Sequence, residues 1–223
     1  TLNEQVGTHE IRAVNAGFNR MTQKLAKVEQ DRAVMLAGIS HDLRTPLARL
    51  RLEAELSVSD PQAKDNMAQD IDQLDAIIAK FLDYARPGDM ALHPVSLNEA
   101  VERCIESLRR HSDLEFRVAL EKNLLVLADP VELQRVITNL LENANRYGKS
   151  VDTGTALIDV SARHQNKQVL LRIRDHGLGV PPDQLSQLTN PFFRGEAART
   201  EANSTGLGLA IVERPLARMG GRL

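Results

Sequence analysis

Residues 129–147 read Asp129-Pro130-Val131-Glu132-Leu133-Gln134-Arg135-Val136-Ile137-Thr138-Asn139-Leu140-Leu141-Glu142-Asn143-Ala144-Asn145-Arg146-Tyr147. The first four residues are a helix start. Asp129 is the cap, Pro130 sits in the first turn where a missing N–H is harmless, and Glu132 follows three after the cap. The helix is expected to run to about Arg146. Asn139 and Asn143 are four apart, so their amides project from one face. Side-chain carbonyl oxygens suit a hard, largely hydrated Mg²⁺ that bridges phosphates. Arg146 can add charge beside a triphosphate, and Tyr147 can flank a base. Standing alone, the stretch reads equally well as a polar helix face with a frayed end, so the rest of the chain has to decide.

Working outward, residues 98–110 read as a helix, and Phe116–Leu120 and Leu124–Leu127 as strands. Two more strands are expected near Ala156–Arg163 and Gln168–Arg174. Pro181-Pro182-Asp183 opens a short helix, and another runs from Leu207 to about Met219. Helices and strands mixed in this way predict an α+β sandwich. Asp175-His176-Gly177-Leu178-Gly179 follows the last strand. Asp175 can accept from an exocyclic amine such as adenine N6, and Gly177 and Gly179 let backbone approach a flat ring. The bland alternative is a tight turn. Thr205-Gly206-Leu207-Gly208 opens the final helix, where glycines leave N–H groups and room for phosphate. It is neither a Walker A motif, lacking Gly-Lys-Ser/Thr, nor a Rossmann fingerprint. The stretch between Gly177 and Gly206 is long and Gly/Pro-punctuated, as in a lid.

The N-terminal texture is different. Ile11, Val14, Phe18, Met21, Leu25 and Val28 step by 3, 4, 3, 4 and 3, an a/d seam that wants a partner helix. The series merges into Leu36, Ile39, Leu43, Leu47 and Leu50 without a breaker until about Ser57. Ser59-Asp60-Pro61 turns the chain into a second amphipathic helix through Met67, Ile71, Leu74, Ile78 and Phe81, ended by Pro87-Gly88. One helical hairpin has a thin core; two in a symmetric homodimer make a four-helix bundle. On the first helix stands Ser40-His41-Asp42-Leu43-Arg44-Thr45-Pro46-Leu47. His41 and Asp42 are offset from the seam and reach its solvent edge. An exposed imidazole is a competent nucleophile toward phosphorus, and the carboxylate beside it can orient it and take its proton. Thr45, one turn away and about 6 Å along the axis, can hold a water for the reverse, hydrolytic step. A surface His beside an Asp is by itself ordinary.

Composition narrows the classes. The 223 residues suffice for one large or two smaller domains. With 3% aromatics and no Trp, the core must come from Leu, Ile, Val and Ala. A net charge of −2 gives no overall basic field for nucleic acid. The single cysteine, Cys104, cannot form an intrachain disulfide and reads as a small buried apolar residue. No run of about 18 apolar residues spans a bilayer. The chain begins with Thr1 and stops after Leu223, and reads as a fragment cut at both ends.

In this order and spacing the groups together resemble the transmitter core of two-component sensor histidine kinases, in particular the osmosensor-like branch with a His-Asp-Leu-Arg-Thr-Pro box. The resemblance covers nearly the whole chain. It implies the C-terminal helix of a HAMP relay domain over 1–30, a dimerisation and histidine-phosphotransfer hairpin over 31–88, and a catalytic ATP-binding domain of the Bergerat (GHKL) type, C-terminally truncated, over 89–223. It implies that His41 receives the γ-phosphoryl of ATP, that Asp42 acts as base and that Thr45 supports phosphatase activity. Asn139 and Asn143 match the N box, with Asn143 on Mg²⁺ and Arg146 and Tyr147 beside the nucleotide. Asp175, Gly177 and Gly179 match the G1 box, and Gly206, Leu207 and Gly208, after Thr205, the G2 box. Pro191-Phe192-Phe193-Arg194 match the F box, with Arg194 and Arg199 meeting phosphate as a lid closes. The implied partners are a second copy of the chain and a response-regulator receiver domain, with no nucleic acid. The implied location is the cytoplasmic side of a bacterial inner membrane, reached through segments absent from this stretch.

Related ATPases that hydrolyse to water place a Glu four residues before the Mg²⁺-binding Asn. Here that position is Asn139, a poor base, so the site is built to hold ATP until a nucleophile such as His41 arrives. Glu142 points about 100° away from Asn143 on the helix. Two other readings compete: a degenerate module that binds ATP without transfer, and a GHKL ATPase unconnected with histidine. Intact His41, Asp42, Asn143, Asp175 and paired glycines oppose the first, and Asn139 with the hairpin opposes the second. Pro215 lies inside the last predicted helix and predicts a kink or an early end near Arg214, at a cost of about 3 kcal/mol.

Overall fold

The computed structural model describes residues 2–85, 90–109, 113–150, 153–193 and 206–223. The expected stop at Pro87-Gly88 lies outside them. The chain forms two compact units, Thr1–Gly88 and Asp89–Leu223.

The first unit is a hairpin of two helices, α1 (His9–Ser57, 49 residues) and α2 (Pro61–Ala85, 25 residues). The 3,4 apolar series continues through α1, so the helix does not break between the relay-like and phosphotransfer-like stretches. Val58-Ser59-Asp60 makes the turn. The Val58 N–H closes α1 on the Ala54 carbonyl, and Asp60 Oδ1 accepts from the Gln62 N–H at 3.2 Å. Leu47 and Ala54 of α1 and Ile71 of α2 are buried. Ion pairs Arg51–Asp72 and Lys64–Glu55 (2.8 Å) tie the helices across the same end. Exposed pairs of this kind contribute roughly 0–1 kcal/mol each, so the buried apolar contacts carry the pairing. Ile11, Val14, Phe18, Met21, Leu25 and Val28 remain exposed in the single chain. An apolar seam of that length is a surface made for another helix.

The second unit is an α/β sandwich. A two-stranded antiparallel ribbon joins β1 (His93–Ser96) to β3 (Leu125–Ala128). A separate sheet runs β2 (Leu114–Leu120), β4 (Ala156–Gln165), β5 (Gln168–Arg174), with β2 parallel and β5 antiparallel to β4. On β4 the residues Ala156, Ile158, Val160 and Ala162 are buried and alternate with more exposed ones, the period-2 pattern of a strand with one covered face. Two helices cover that face: α3 (Leu97–Leu108) with Leu97, Ala100, Val101, Cys104 and Ile105, and α4 (Pro130–Tyr147) with Leu133, Ile137, Leu141 and Ala144. Asn98 clips the ribbon to the sheet, since its Nδ2 donates to the Glu121 carbonyl and its Oδ1 accepts from the Leu124 N–H. A 3-10 helix (Pro182–Gln187) and the last helix, α5 (Gly208–Arg218), complete the unit.

Most predicted elements stand where the sequence places them; β1 is an addition. Pro215 behaves otherwise than expected. The helix does not end near Arg214 but runs on to Arg218. Pro215 is buried there, and its carbonyl accepts from the Met219 N–H at 3.0 Å, so burial of the ring and the α5 face outweighs one lost backbone bond. Among the described residues no helix is long and apolar enough to cross a membrane.

Candidate functional site

The second unit's site grows from the C-terminal half of α4. Asp129 caps that helix with Oδ1 accepting from the Val131 and Glu132 N–H groups at 3.0 and 3.1 Å. These hydrogen bonds, led by that of Glu132, hold its carboxyl below the ordinary range. The cap sets the rotation of α4, with Leu133, Ile137, Leu141 and Ala144 inward. Asn139 is also buried, and its Nδ2 donates to the Arg135 carbonyl at 2.9 Å. That bond uses one of the amide's two N–H donors, and the amide oxygen is the group suited to a cation's water shell.

One turn on, Asn143 lies against the start of α5. A Cβ on Gly208 would stand 2.9 Å from Asn143 Oδ1 and 3.0 Å from its Nδ2. Only glycine lets the start of α5 approach the amide so closely. Leu207, the residue before that helix, is buried and has no polar side chain to cap it. The N–H groups of a helix's first turn are a place where an anion can bind. Gly206 has φ +64°, and a Cβ on it would meet the Phe192 and Phe193 backbone at 2.7 Å. The Phe192 N–H donates to the Gly206 carbonyl at 2.9 Å, so the Pro191-Phe192-Phe193 stretch is laced to the start of α5.

The loop after β5 closes the other side. Asp175 Oδ1 accepts from the Gly177 N–H at 3.0 Å, forming a tight turn. A Cβ on Gly177 would fall 1.9 Å from the Tyr147 carbonyl oxygen, and one on Gly148 would fall 2.7 Å from Asp175 Cβ. Asp175 and Gly177 thus pack on the last turn of α4. Gly179 has φ +71° with open space at its Cβ position, so there it is conformation rather than contact that asks for glycine. Asn139, Asn143, Tyr147, Asp175, Gly177, Gly206, Leu207 and Gly208 are gathered around the C-terminal half of α4. Arg146 lies in its last turn. Arg194, Arg199 and Thr205 lie outside the described residues. Gly148 was not singled out by sequence reasoning, although a glycine directly after a helix end is a known stop signal. Asp159 on β4, which meets His176, gave no signal beyond the polar half of an alternating strand.

The first unit holds a second group. His41 and Asp42 on α1 have side chains 85% exposed, with His41 Nδ1 3.5 Å from Asp42 Oδ1, the outer limit of a hydrogen bond. Thr45 Oγ1 donates to the His41 carbonyl at 3.4 Å, and Ser40 beside them is buried. Pro46 lies inside the helix and has no N–H to offer the Asp42 carbonyl four residues back.

Known proteins share both groups of features. Residues 31–89 match the His Kinase A (phospho-acceptor) domain, and residues 128–223 match the histidine kinase-, DNA gyrase B-, and HSP90-like ATPase family. A solved mycobacterial sensor histidine kinase, MprB, is 30% identical over 58% of this chain and 81% of that one, with a TM-score of 0.51. The chain belongs to the two-component sensor histidine kinases. The signal transduction histidine-protein kinase/phosphatase MprB of Mycolicibacterium smegmatis is 31% identical over 98% of this chain and 46% of its own length. The sensor histidine kinase GtrS of Pseudomonas aeruginosa is 30% identical over 93% and 42%. The chain spans about half the length of the curated relatives it matches. Full-length ShkA, solved in complex with AMPPNP, is 25% identical over 85% of this chain and 42% of that one, with a TM-score of 0.65.

Proposed function

We propose that the chain is the transmitter of a sensor histidine kinase: it phosphorylates His41 from ATP and passes the phosphoryl group to an aspartate of a response-regulator receiver domain. The observation that carries this reading is the close approach of Gly208 to Asn143 at a helix end packed by Asp175 and Gly177, in a chain whose other unit exposes His41 and Asp42. Asp175 would accept from the adenine amine, and the start of α5 would face the phosphates. The oxygens of Asn139 and Asn143 suit a hydrated divalent cation. Bound there, Mg²⁺ would neutralise charge on the phosphates.

With a proton on Nδ1 shared toward Asp42, the Nε2 lone pair of His41 faces solvent and is the nucleophile. It forms the N–P bond as the bond from γ-phosphorus to the β,γ-bridging oxygen breaks. ADP leaves, and the imidazole proton passes to Asp42. At Asn139 the helix offers no carboxylate to activate water, which favours transfer over hydrolysis. Thr45, one turn from His41, would orient a water against a phosphorylated partner, the reverse activity. The exposed α1 seam fits a homodimer through a four-helix bundle, the stretch of α1 from His9 to about residue 30 would be the end of a HAMP-type relay, with residues 2–8 lying outside the helix, and the second unit is the catalytic domain. The stretch would work on the cytoplasmic face of a bacterial inner membrane.

Incubation with γ-labelled ATP should label the chain only when a divalent cation is present. Asn143→Ala, folded by circular dichroism, should lose the label. Label that persists in Asn143→Ala at the wild-type rate would contradict the nucleotide site.

A further inference from the structure

The face of the β2–β4–β5 sheet that α3 and α4 leave uncovered carries unmatched positive charge. Arg117, Asp159 and Arg174 stand in register across it, and Ala119, Ser161 and Arg172 form the next row. Arg163 follows on β4, opposite Leu170. With strands about 4.8 Å apart and alternate residues about 6.8 Å apart, the four arginines fall within roughly 10 by 14 Å. Lys122 and Lys167 lie in the turns after β2 and β4, at the Arg163 end. All six cations are exposed, and none makes an ion pair among the described residues. The carboxylates on this side are already engaged or stand at its margin. Asp113 pairs with Lys149 at 2.5 Å, Asp159 meets His176 Nε2 at 2.8 Å, and Glu121 accepts from the His164 N–H at 2.8 Å. Glu115 stands near the start of β2, opposite Leu157. Like charges side by side on a sheet weaken it. Six unpaired cations against the three carboxylates Glu115, Asp159 and Glu121 therefore call for counter-charge from outside the chain.

We propose that this open sheet face docks on an anionic lipid surface. Protein interfaces are anchored by buried aromatic side chains, and the face offers none. Phe116, the aromatic residue of β2, packs on the core instead. Ala119 and Ser161 put no bulk between the arginines, so all four guanidiniums can meet one plane of headgroups at once. A plane of anionic headgroups asks for charge alone, and each cation brought close to it raises affinity about fivefold. The chain as a whole carries a net charge of −2 and is not drawn to such a surface by its total. Attraction must come from this face, which makes it local and sensitive to salt. The cytoplasmic leaflet at the location proposed above presents charge of the required sign.

The test is co-sedimentation of the full chain with vesicles of phosphatidylcholine, with and without about one-third phosphatidylglycerol, at about 0.1 M salt. Wild type should bind the anionic vesicles and not the neutral ones. Arg117→Gln, Arg163→Gln and Arg172→Gln together should lower that affinity about 100-fold, at about fivefold for each residue. All three positions are exposed, and circular dichroism checks that the variant is folded. The control replaces Arg12, Arg20 and Arg49, exposed on α1, with Gln and removes the same charge elsewhere. It should stay within about threefold of wild type, since charge outside the docking face contributes little beyond a Debye length. Wild type that binds no anionic vesicles, a sheet variant that binds as wild type does, or a control that loses as much as the sheet variant would overturn the proposal. So would capture of soluble polyglutamate with no binding to vesicles, which would make the occupant an acidic protein. Vesicle binding needs neither ATP nor His41, so its failure would leave the kinase reading standing.

Discussion

Replacing Gly208 with alanine separates the nucleotide site from the fold. The added methyl would stand 2.9 and 3.0 Å from the two terminal atoms of the Asn143 amide. Ordinary van der Waals contact needs about half an ångström more. The obstacle is the end of a side chain with two rotatable bonds, so Asn143 swings aside and the backbone stays in place. At the first turn of α5, alanine is favoured over glycine by up to about 1 kcal/mol. Stability should therefore be unchanged or slightly higher. The displaced amide no longer presents its oxygen to a cation, and losses of this kind lower affinity about 10- to 100-fold, or about 1.4–2.7 kcal/mol. Calorimetric titration with Mg-ATP, paired with a thermal melt, reads both quantities. Gly177→Ala is the contrast. There the new carbon would fall 1.9 Å from the Tyr147 backbone oxygen, which cannot swing away. That change should destabilise the unit by about 1–3 kcal/mol. Gly208→Ala binding Mg-ATP within twofold of wild type would refute the placement of Asn143 at the cation.

Four further outcomes follow from the packing. Asp129→Ala removes the α4 cap and should cost about 0.5–2 kcal/mol in urea unfolding. Because the folded state lowers the Asp129 carboxyl below its usual 3.8, the cap's charge-dependent part is fully present above that value and lost as pH falls through the lower, folded one; Asp129→Asn should flatten the stability curve below about pH 4. Pro215→Ala restores a donor for the Ile211 carbonyl and removes a clash of about 3 kcal/mol, set against about 1.6 kcal/mol for two buried methylenes, so denaturant unfolding should show a net gain of about 1 kcal/mol. Leu141 is fully buried in the α4 core, and Leu141→Ala should lose about 2–5 kcal/mol by the same assay.

The helices were legible because their signals are local. The 3,4 spacing from Ile11 to Phe81, the Asp60-Pro61 start and the Asp129-Pro130 start each act within a few residues, and each element stands where they point. Strand pairing was not legible, since register is a long-range property. Phe116–Leu120 and Leu124–Leu127 are separated by three residues, yet they join different sheets, one beside β4 and one beside β1. β1 itself is four residues long and contains Pro94, which masks a strand's pattern. Pro215 misled because a propensity penalty is a weak prior against a buried helix face. At the site, the residue types near Asn143, Asp175 and Gly208 pointed to nucleotide chemistry. Their contacts did not follow from sequence: that Gly208 meets Asn143, and that Gly177 meets the Tyr147 carbonyl, depends on how α4, α5 and the β5 loop pack. The His176–Asp159 pair was invisible for the same reason, a strand residue meeting a loop residue 17 positions away.

The central claim, that His41 is the phospho-acceptor, is tested most directly by chemical identification of the labelled residue. The chain and its His41→Gln variant are incubated with γ-labelled ATP and Mg²⁺, then exposed to acid and to alkali. The account predicts an acid-labile, alkali-stable label on the wild-type chain and none on the variant, with Mg-ATP bound equally by both. An acid-labile, alkali-stable label that persists in His41→Gln would contradict it.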